Sequence, residues 1–277
     1  MDRQLDDQAI ADQTLMAGLT AAVAVAAAAT LAMAGGGASV RIKADGSPVT
    51  DADERSQAIL LQAMARLMPG VPVVSEEMAT RPSRLGNLFA LIDPLDGTKG
   101  YVAGSSEYTV NLAIMHDGRP VAGIVAVPAE GLIYRGMARH GAERLAMAHD
   151  GTIADPAAAQ PIGIRGAPPH NRVAMVSRSH LDAATIALLD RLHIGRRMAC
   201  GSALKFCRIA EGLADIYPRL ATTCEWDVAA GHALVEAAGG SVTLPDGGAL
   251  RYGDAASDFR VPAFIAWGDR AGVLAAA

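Results

Sequence analysis

Residues 91–100 read LIDPLDGTKG, in which a short apolar segment leads into a turn with two aspartates. The apolar residues at its start are typical of a buried strand, and Pro94 favours an extended entry into a turn. Asp93 and Asp96 lie three residues apart at the end of that strand, so both carboxylates can face one point. Hard cations such as Mg²⁺ prefer several oxygen ligands, and the carbonyl of Leu95 can add one between the two acids. Taken alone, the run is also an ordinary pair of turn dipeptides.

Gly97 and Thr98 follow these two acids directly. If a helix begins here, its free N–H groups and the positive end of its dipole lie beside the acids. A phosphate group can then bridge the helix and a metal ion. The turn is therefore a candidate site for both.

Further acidic residues could join the two aspartates of this turn in a metal site. Glu76 and Glu77 end a short apolar run, and Asp53 lies near the start of a helix. Asp227 falls in the first turn of an apolar helix. Each has an ordinary explanation as a loop, cap or first-turn acid. A buried group of four or five acids would repel itself unless cations were bound, so their convergence would indicate a metal site.

Composition excludes several classes of protein. A net charge of −5 and an aromatic content of only 4% argue against binding a nucleic acid polymer. Cys200, Cys207 and Cys224 form no CxxC pair, and the seven histidines contain no HExxH motif, so neither a disulfide framework nor a zinc site is indicated. We expect a metal held by oxygen, a small-molecule partner and a reducing, cytoplasmic compartment.

Helical and strand patterns alternate along the chain, which indicates an α/β or α+β fold. We expect an opening helix over residues 12–34 and a second helix capped by Thr50 or Asp51. Strands are expected over residues 87–92 and on either side of the Asp117-Gly118 turn. A segment rich in proline, alanine and glycine at residues 156–169 separates two expected lobes, residues 1–160 and 161–277.

The opening helix contains an uncharged run, residues 15–34, that is long enough to span a membrane. Half of this run is alanine, and aspartates precede it where a signal peptide would carry positive charge. Leu15, Leu19, Val23 and Leu31 lie at multiples of four, as on one face of a buried helix. We expect a packed core helix and no integral span, while a peripheral association with the inner membrane stays open.

Three acidic motifs in this order resemble the inositol monophosphatase superfamily. They are SEEM at residues 75–78, DPLDGT at 93–98 and EWDVAAG at 225–231, and the resemblance extends from about Val49 to Gly240. It implies a layered sandwich of alternating helices and mixed, largely antiparallel sheets. It also implies a phosphate monoester hydrolase that uses two or three Mg²⁺ ions and is inhibited by lithium.

The resemblance assigns roles to individual residues. The implied Mg²⁺ ligands are Glu76, Asp93, Leu95 through its carbonyl, Asp96 and Asp227. Asp53 and Thr98, with Glu76, are implied to be catalytic, the first two by positioning or deprotonating the attacking water. The implied substrate-binding residues are Glu76, Leu95, Asp96, Gly97, Thr98, Ser202, Lys205, Arg219 and Asp227.

Within the superfamily, the sequence is most similar to the CysQ-type 3'(2'),5'-bisphosphate nucleotidases. The matching stretches are SPVTDAD at 47–53, EYTVNLA at 107–113 and GSALKFCRIAEGLADIYPR at 201–219. This resemblance implies adenosine 3',5'-bisphosphate as the substrate, and Lys205 and Arg219 can supply the cationic contact that its second phosphate needs. An inositol monophosphatase or other sugar phosphatase remains an alternative, as does a metal- or phosphate-binding regulator without catalysis. A homodimer stays open.

Overall fold

The computed structural model describes residues 13–275, except 154, 156, 157, 169 and 180. Its helices are α1 (Gln13–Ala32), α2 (Asp51–Leu67), α3 (Thr98–Val102), α4 (Ala183–Arg191), α5 (Leu204–Ala210), α6 (Glu225–Ala237) and α7 (Arg270–Ala275). Short 3₁₀ turns lie at Pro128–Glu130 and Ala255–Ser257. The predicted helix start at residue 12 falls outside the described residues.

A seven-stranded sheet forms the first half of the chain. Its strands are β3 (Val73–Ser75), β4 (Leu88–Asp96), β5 (Thr109–His116), β6 (Arg119–Val127), β7 (Leu132–Met137), β8 (Gly141–Ala146) and β9 (Gln160–Ile162). They lie in sequence order, with β3 parallel to β4 and every other pair antiparallel. A small hairpin, β1 (Val40–Ile42) and β2 (Pro48–Thr50), precedes α2.

The second half forms a five-stranded sheet with the order β11-β10-β12-β16-β14. Its strands are β10 (Val173–Ser177), β11 (Arg196–Cys200), β12 (Ile216–Arg219), β14 (Ser241–Thr243) and β16 (Phe264–Trp267). β10 is parallel to both of its neighbours, whereas β16 is antiparallel to both of its own. The pair β13 (Thr223–Cys224) and β15 (Arg260–Val261) forms a separate short ladder.

The elements stack in five layers. Helices α1 and α2 pack on one face of the seven-stranded sheet, and α6 packs on the other face. Helices α5 and α6 separate the two sheets, while α4 and α7 cover the outer face of the five-stranded sheet. This is the predicted layered sandwich of helices and mixed, largely antiparallel sheets.

Helix α6 approaches the seven-stranded sheet closely because glycines face it. A Cβ at Gly123 in β6 would lie 2.3 Å from the carbonyl oxygen of Ala230, and one at Gly136 in β7 would lie 2.8 Å from the Cβ of Ala237. Any larger residue would force the helix away from the sheet. These two glycines therefore fix the position of the helix that carries Asp227.

The opening helix packs as a core element. Leu19 and Val23 are buried against α2 and the sheet, as the spacing predicts, whereas Leu15 and Leu31 of the same predicted face are only partly buried. By length and composition α1 is also apolar enough to cross a membrane, and 56% of its most apolar window is buried within the protein. Helix formation is favoured by its alanines.

Two boundaries differ from the sequence-based expectation. β4 does not end at residue 92 but runs on to Asp96, because a bulge between Asp93 and Asp96 accommodates Pro94 within the strand. The expected boundary between residues 160 and 161 falls inside β9, which belongs to the seven-stranded sheet. The division into two lobes stays a prediction.

Candidate active site

A cleft of about 430 Å³ opens where the two halves of the chain meet. The predicted site residues that line it are Glu76, Asp93, Leu95, Asp96, Gly97, Thr98, Ser202, Lys205, Arg219 and Asp227. Asp53 is fully buried and reaches the cleft through its hydrogen bond with Thr98. The fold therefore brings acids and cations from distant segments to one cavity.

The end of β4 is held by a helix and by its own backbone. Ser56 Oγ in α2 donates a hydrogen bond to the carbonyl oxygen of Pro94 at 2.7 Å, and the amide of Leu95 donates to Asp93 Oδ1 at 3.0 Å. A short helix, α3, does begin at Thr98, directly after the two acids. The two acids of DPLDGT thus lie at a bulge with a fixed backbone.

Gly97 joins this turn to the second half of the chain. Its φ of 95° lies in the left-handed region that glycine adopts without strain. A Cβ at this position would lie 2.3 Å from Ser202 Oγ. The Ser202 hydroxyl can donate to the carbonyl oxygen of Asp96 at 2.8 Å or to that of Glu107 at 3.0 Å, and the Ala203 amide donates to Asp96 Oδ2 at 2.7 Å.

Asp53 and Thr98 form the predicted pair. Thr98 Oγ1 lies 3.0 Å from both Asp53 Oδ1 and the carbonyl oxygen of Leu95, and its single hydrogen can serve one of them at a time. The other carboxylate oxygen of Asp53 accepts from the amide of Thr50 at 2.8 Å and from its hydroxyl at 2.6 Å. Burial raises the pKa of Asp53, although these hydrogen bonds oppose the rise.

Thr50 is a site residue that sequence reasoning treated only as a helix cap. It caps α2 in a reciprocal capping box with Asp53. The same hydrogen bonds that begin the helix therefore also orient the Asp53 carboxylate towards Thr98. The signal in the sequence is the T-x-x-D spacing itself.

Lys43 is a second residue that the sequence did not indicate. It comes from the loop of the β1–β2 hairpin, donates to Glu76 Oε1 at 3.1 Å and also contacts Glu77 Oε1. Burial lowers the pKa of Lys43, but the two glutamates outweigh this effect and raise the pKa overall. Glu77 thus neutralises Lys43 at the edge of the site.

Arg81 is the third residue of this kind. Its guanidinium donates to the carbonyl oxygen of Glu76 at 2.8 Å and lies 4.5 Å from the centre of the Trp226 ring. It therefore connects Glu76 with the start of α6. Asp227, the next residue along that helix, accepts a hydrogen bond from the amide of Cys224 at 3.1 Å and contacts the Thr223 hydroxyl.

Lys205 is buried, with only 4% of its surface exposed. Its ammonium donates to the carbonyl oxygens of Ser202 at 2.6 Å and Cys200 at 3.3 Å, and it lies 5.1 Å from the centre of the Tyr217 ring. Burial lowers the pKa of Lys205, and the Asp96 carboxylate opposes the change. Within the described part of the chain, these two hydrogen bonds leave one of the three ammonium hydrogens for a ligand in the cleft.

The acids of the cleft raise one another's pKa values. Burial, followed by the charges of Glu76 and Asp96, raises the pKa of Asp93 well above its usual range. Burial raises the pKa of Glu76 to about 7, with Lys43 opposing and Asp227 adding to the rise. Burial and Asp227 raise the pKa of Asp96 to about 6. Ionising all of them together therefore requires a compensating positive charge.

The donor atoms suit a hard cation. Among the described residues, no three acidic, histidine or cysteine side chains are already grouped closely enough to enclose a metal ion. Within the same residues, however, the buried Oδ2 of Asp93 has no hydrogen-bond partner. A buried anionic oxygen without a partner is costly unless a cation satisfies it. The carboxylates and the carbonyl of the turn are the ligand types that Mg²⁺ prefers.

Comparison with known proteins gives the class of this chain. The model of the inositol monophosphatase family matches residues 11–271, so the chain belongs to that family and is a phosphatase. The 3'(2'),5'-bisphosphate nucleotidase CysQ of Salmonella typhimurium is 37% identical over 212 residues, which cover 76% of this chain and 81% of the relative. CysQ of Escherichia coli strain K12 gives the same values.

Solved structures agree with the fold. CysQ from Bacteroides thetaiotaomicron superposes with a TM-score of 0.80 and 30% identity, covering 94% of this chain and 99% of that one. The inositol monophosphatase from Anabaena superposes with a TM-score of 0.73 at 24% identity, over 95% of each chain. The second comparison establishes the shared fold alone.

Proposed function

We propose that this phosphatase is a Mg²⁺-dependent 3'(2'),5'-bisphosphate nucleotidase that converts adenosine 3',5'-bisphosphate to AMP and phosphate. The observation that carries the proposal is the buried ammonium of Lys205 in the same cleft as the acids. Burying a cation is costly unless hydrogen bonds or an anionic partner compensate the charge, and a phosphate group in the cleft would be such a partner. A substrate with two phosphates needs one binding site for the phosphate that is cleaved and a second binding site for the phosphate that remains.

Glu76, Asp93, Asp96, Asp227 and the Leu95 carbonyl would hold two or three Mg²⁺ ions. The bound ions would neutralise the phosphoryl and leaving oxygens and lower the pKa of the attacking water. The unpartnered Asp93 Oδ2 and the raised pKa values of the acids support this assignment.

Asp53 and Thr98 would orient the attacking water. When the Thr98 hydroxyl donates to Asp53 Oδ1, its lone pairs are free to accept a hydrogen from water. The proton can pass to Thr98 Oγ1 while Thr98 passes its own to Asp53. Thr50 keeps Asp53 in place for this transfer through two hydrogen bonds. The alignment of the nucleophile supplies much of the rate acceleration.

The backbone at Gly97 and Thr98, where α3 begins, would hold the phosphate that is cleaved. Lys205, with Arg219 beside it in the cleft, would bind the phosphate that remains on the product. The Ser202 carbonyl directs the Lys205 ammonium, and the Ser202 hydroxyl fixes this loop to the turn. An inositol or sugar monophosphate would leave the Lys205 site without a partner.

The decisive assay compares adenosine 3',5'-bisphosphate with adenosine 3'-monophosphate and inositol 1-phosphate in the presence of Mg²⁺. A charge-assisted hydrogen bond contributes about 1.5–3 kcal/mol, so we expect kcat/KM for the bisphosphate to exceed the other two by about 10- to 100-fold. Lys205→Met should remove this preference and leave hydrolysis of the monophosphates nearly unchanged. Equal or better hydrolysis of inositol 1-phosphate would favour the sugar phosphatase alternative.

A variant tests catalysis itself. Asp93→Asn should abolish most of the Mg²⁺-dependent turnover, and near-normal activity would contradict the proposed metal site. A protein that binds Mg²⁺ and phosphate but releases no phosphate from any ester would instead be the non-catalytic regulator. The hydrogen-bonded pair of Asp53 and Thr98 argues against that alternative, since a binding protein does not need a water-orienting pair.

We also propose that the enzyme acts in the cytoplasm. Its three cysteines, all within the described part of the chain, are free, and Cys200 and Cys207 are buried. Free thiols suit a reducing compartment.

A further inference from the structure

Glu107 lies at the edge of the cleft and contacts two separate segments. Its two carboxylate oxygens accept from the guanidinium of Arg178 at 2.6 and 2.8 Å, and Oε2 also accepts from the amide of Gly201 at 2.9 Å. Its carbonyl oxygen lies 3.0 Å from Ser202 Oγ. One residue from the segment before β5 thus binds the end of β10 and the loop between β11 and α5.

That loop determines where Lys205 points. The two carbonyl groups that hold the Lys205 ammonium belong to Cys200 and Ser202, on either side of Gly201. Ser202 has a φ of 53°, a conformation that non-glycine residues adopt at a cost. Contacts outside the loop must therefore stabilise its shape, and Glu107 makes two of them.

The contacts of Glu107 are those of an ionised carboxylate in a fixed orientation. The Arg178 guanidinium lowers the pKa of Glu107, and the Gly201 amide contributes to the same effect. Arg178 itself donates to the carbonyl oxygen of Ala199, so the arginine is anchored as well. A two-point arginine–carboxylate pair is geometrically specific, unlike a single contact between flexible charges.

The Gly201 position is closed to larger residues by the same glutamate. A Cβ at Gly201 would lie 2.8 Å from the carbonyl oxygen of Glu107 and 3.1 Å from its Cβ. The loop and Glu107 are therefore packed against each other and are not merely linked by charge.

We propose that Glu107 is a positioning residue that holds the Gly201–Ser202 loop so that Lys205 can receive the second phosphate of the substrate. The inference rests on the proposed bisphosphate nucleotidase function. Glu107 acts through the loop and does not touch the phosphate. Its loss should therefore change the selectivity for the second phosphate and leave the hydrolytic step intact.

The test uses two substrates that differ only in the second phosphate, adenosine 3',5'-bisphosphate and adenosine 3'-monophosphate. We expect Glu107→Gln to raise KM for the bisphosphate about tenfold and to change kcat for the bisphosphate by less than about twofold. For the monophosphate, kcat/KM should also change by less than about twofold. Arg178→Gln, which spares the Gly201 hydrogen bond, should act in the same direction and more weakly. Glu143→Gln breaks a comparable pair with Arg135 away from the cleft and should change neither substrate.

A double-mutant cycle separates positioning from general destabilisation. If Glu107 acts through Lys205, Glu107→Gln added to Lys205→Met should cause no further loss of the bisphosphate preference. Thermal unfolding of each variant confirms that it is folded, and Arg178→Gln replaces Glu107→Gln in the cycle if the latter is not.

Three results would overturn the inference. They are an equal loss for both substrates, an unchanged KM for the bisphosphate, and additive effects in the cycle. If the wild-type enzyme does not prefer the bisphosphate at all, the proposed function itself fails and this inference fails with it. If the wild-type enzyme prefers the bisphosphate and Glu107→Gln keeps that preference, only the positioning role of Glu107 is overturned and the proposed function stands.

Discussion

The raised pKa values in the cleft predict how the stability of the metal-free enzyme changes with pH. Burial raises the pKa of Glu76 from its ordinary 4.5 to about 7. Between these values the folded protein binds more protons than the unfolded chain, so the free energy of unfolding must fall as the pH rises. The stabilisation is complete below pH 4.5 and lost above pH 7. Asp96, with a pKa of about 6, acts in the same direction.

The size of the effect follows from the same values. A rise of this extent in one pKa corresponds to about 3 kcal/mol. The Glu76 side chain is 27% exposed and its titration is linked to that of its neighbours, so about 1–2 kcal/mol is the reasonable share for Glu76 alone. For a chain of this length, that equals a decrease in Tm of roughly 2–8 °C.

Thermal unfolding in EDTA at pH 5 and pH 7.5 measures the effect. We expect the Tm difference between the two pH values to shrink in Glu76→Gln and to persist in the control Glu143→Gln. Saturating Mg²⁺ should raise Tm more at pH 7.5 than at pH 5, because the ionised acids bind the cation. An identical pH dependence in the wild type and Glu76→Gln would refute the reasoning.

Three further variants test other contacts. Thr50→Val removes a hydrogen bond to the Asp53 carboxylate, so kcat in steady-state kinetics should fall about tenfold, whereas Thr50→Ser should retain activity. A change in KM with an unchanged kcat would contradict this expectation. Gly97→Ala places a Cβ 2.3 Å from Ser202 Oγ, and we expect at least a tenfold loss of kcat/KM with an unchanged circular dichroism spectrum. Gly123→Ala should lower the free energy of unfolding, measured by denaturant titration, by more than about 1 kcal/mol, since its Cβ would meet the backbone of α6. An unchanged free energy of unfolding would argue against the close packing.

The acids of the site were predictable because short acidic motifs occur in the order that the superfamily shows, although each acid alone has an ordinary local explanation. Asp93 and Asp96 share one turn, and Asp53 and Asp227 each lie in the first turn of a helix. A capped helix start is a local feature that a single segment of sequence specifies. The fold class follows in the same way from alternating local patterns.

The partners of these acids were not predictable from local patterns. Lys43 meets Glu76 across 33 residues, and Arg178 meets Glu107 across 71. Such pairs depend on how the sheets and loops are arranged in three dimensions. β11 was also not predicted, because four of its five residues are exposed and its sequence, RRMAC, has no apolar alternation.

The close packing of α6 on the glycines of β6 and β7 has a consequence for how the enzyme is made. The sheet that carries Glu76, Asp93 and Asp96 is complete at Ile162, but the helix that fills its inner face and supplies Asp227 follows some 60 residues later in the chain. During synthesis the ribosome adds roughly 5–20 residues per second, so this apolar face of the sheet remains exposed for several seconds before α6 is synthesised. We therefore expect the nascent first half to depend on chaperones, and the acidic cluster to be assembled only after α6 has emerged.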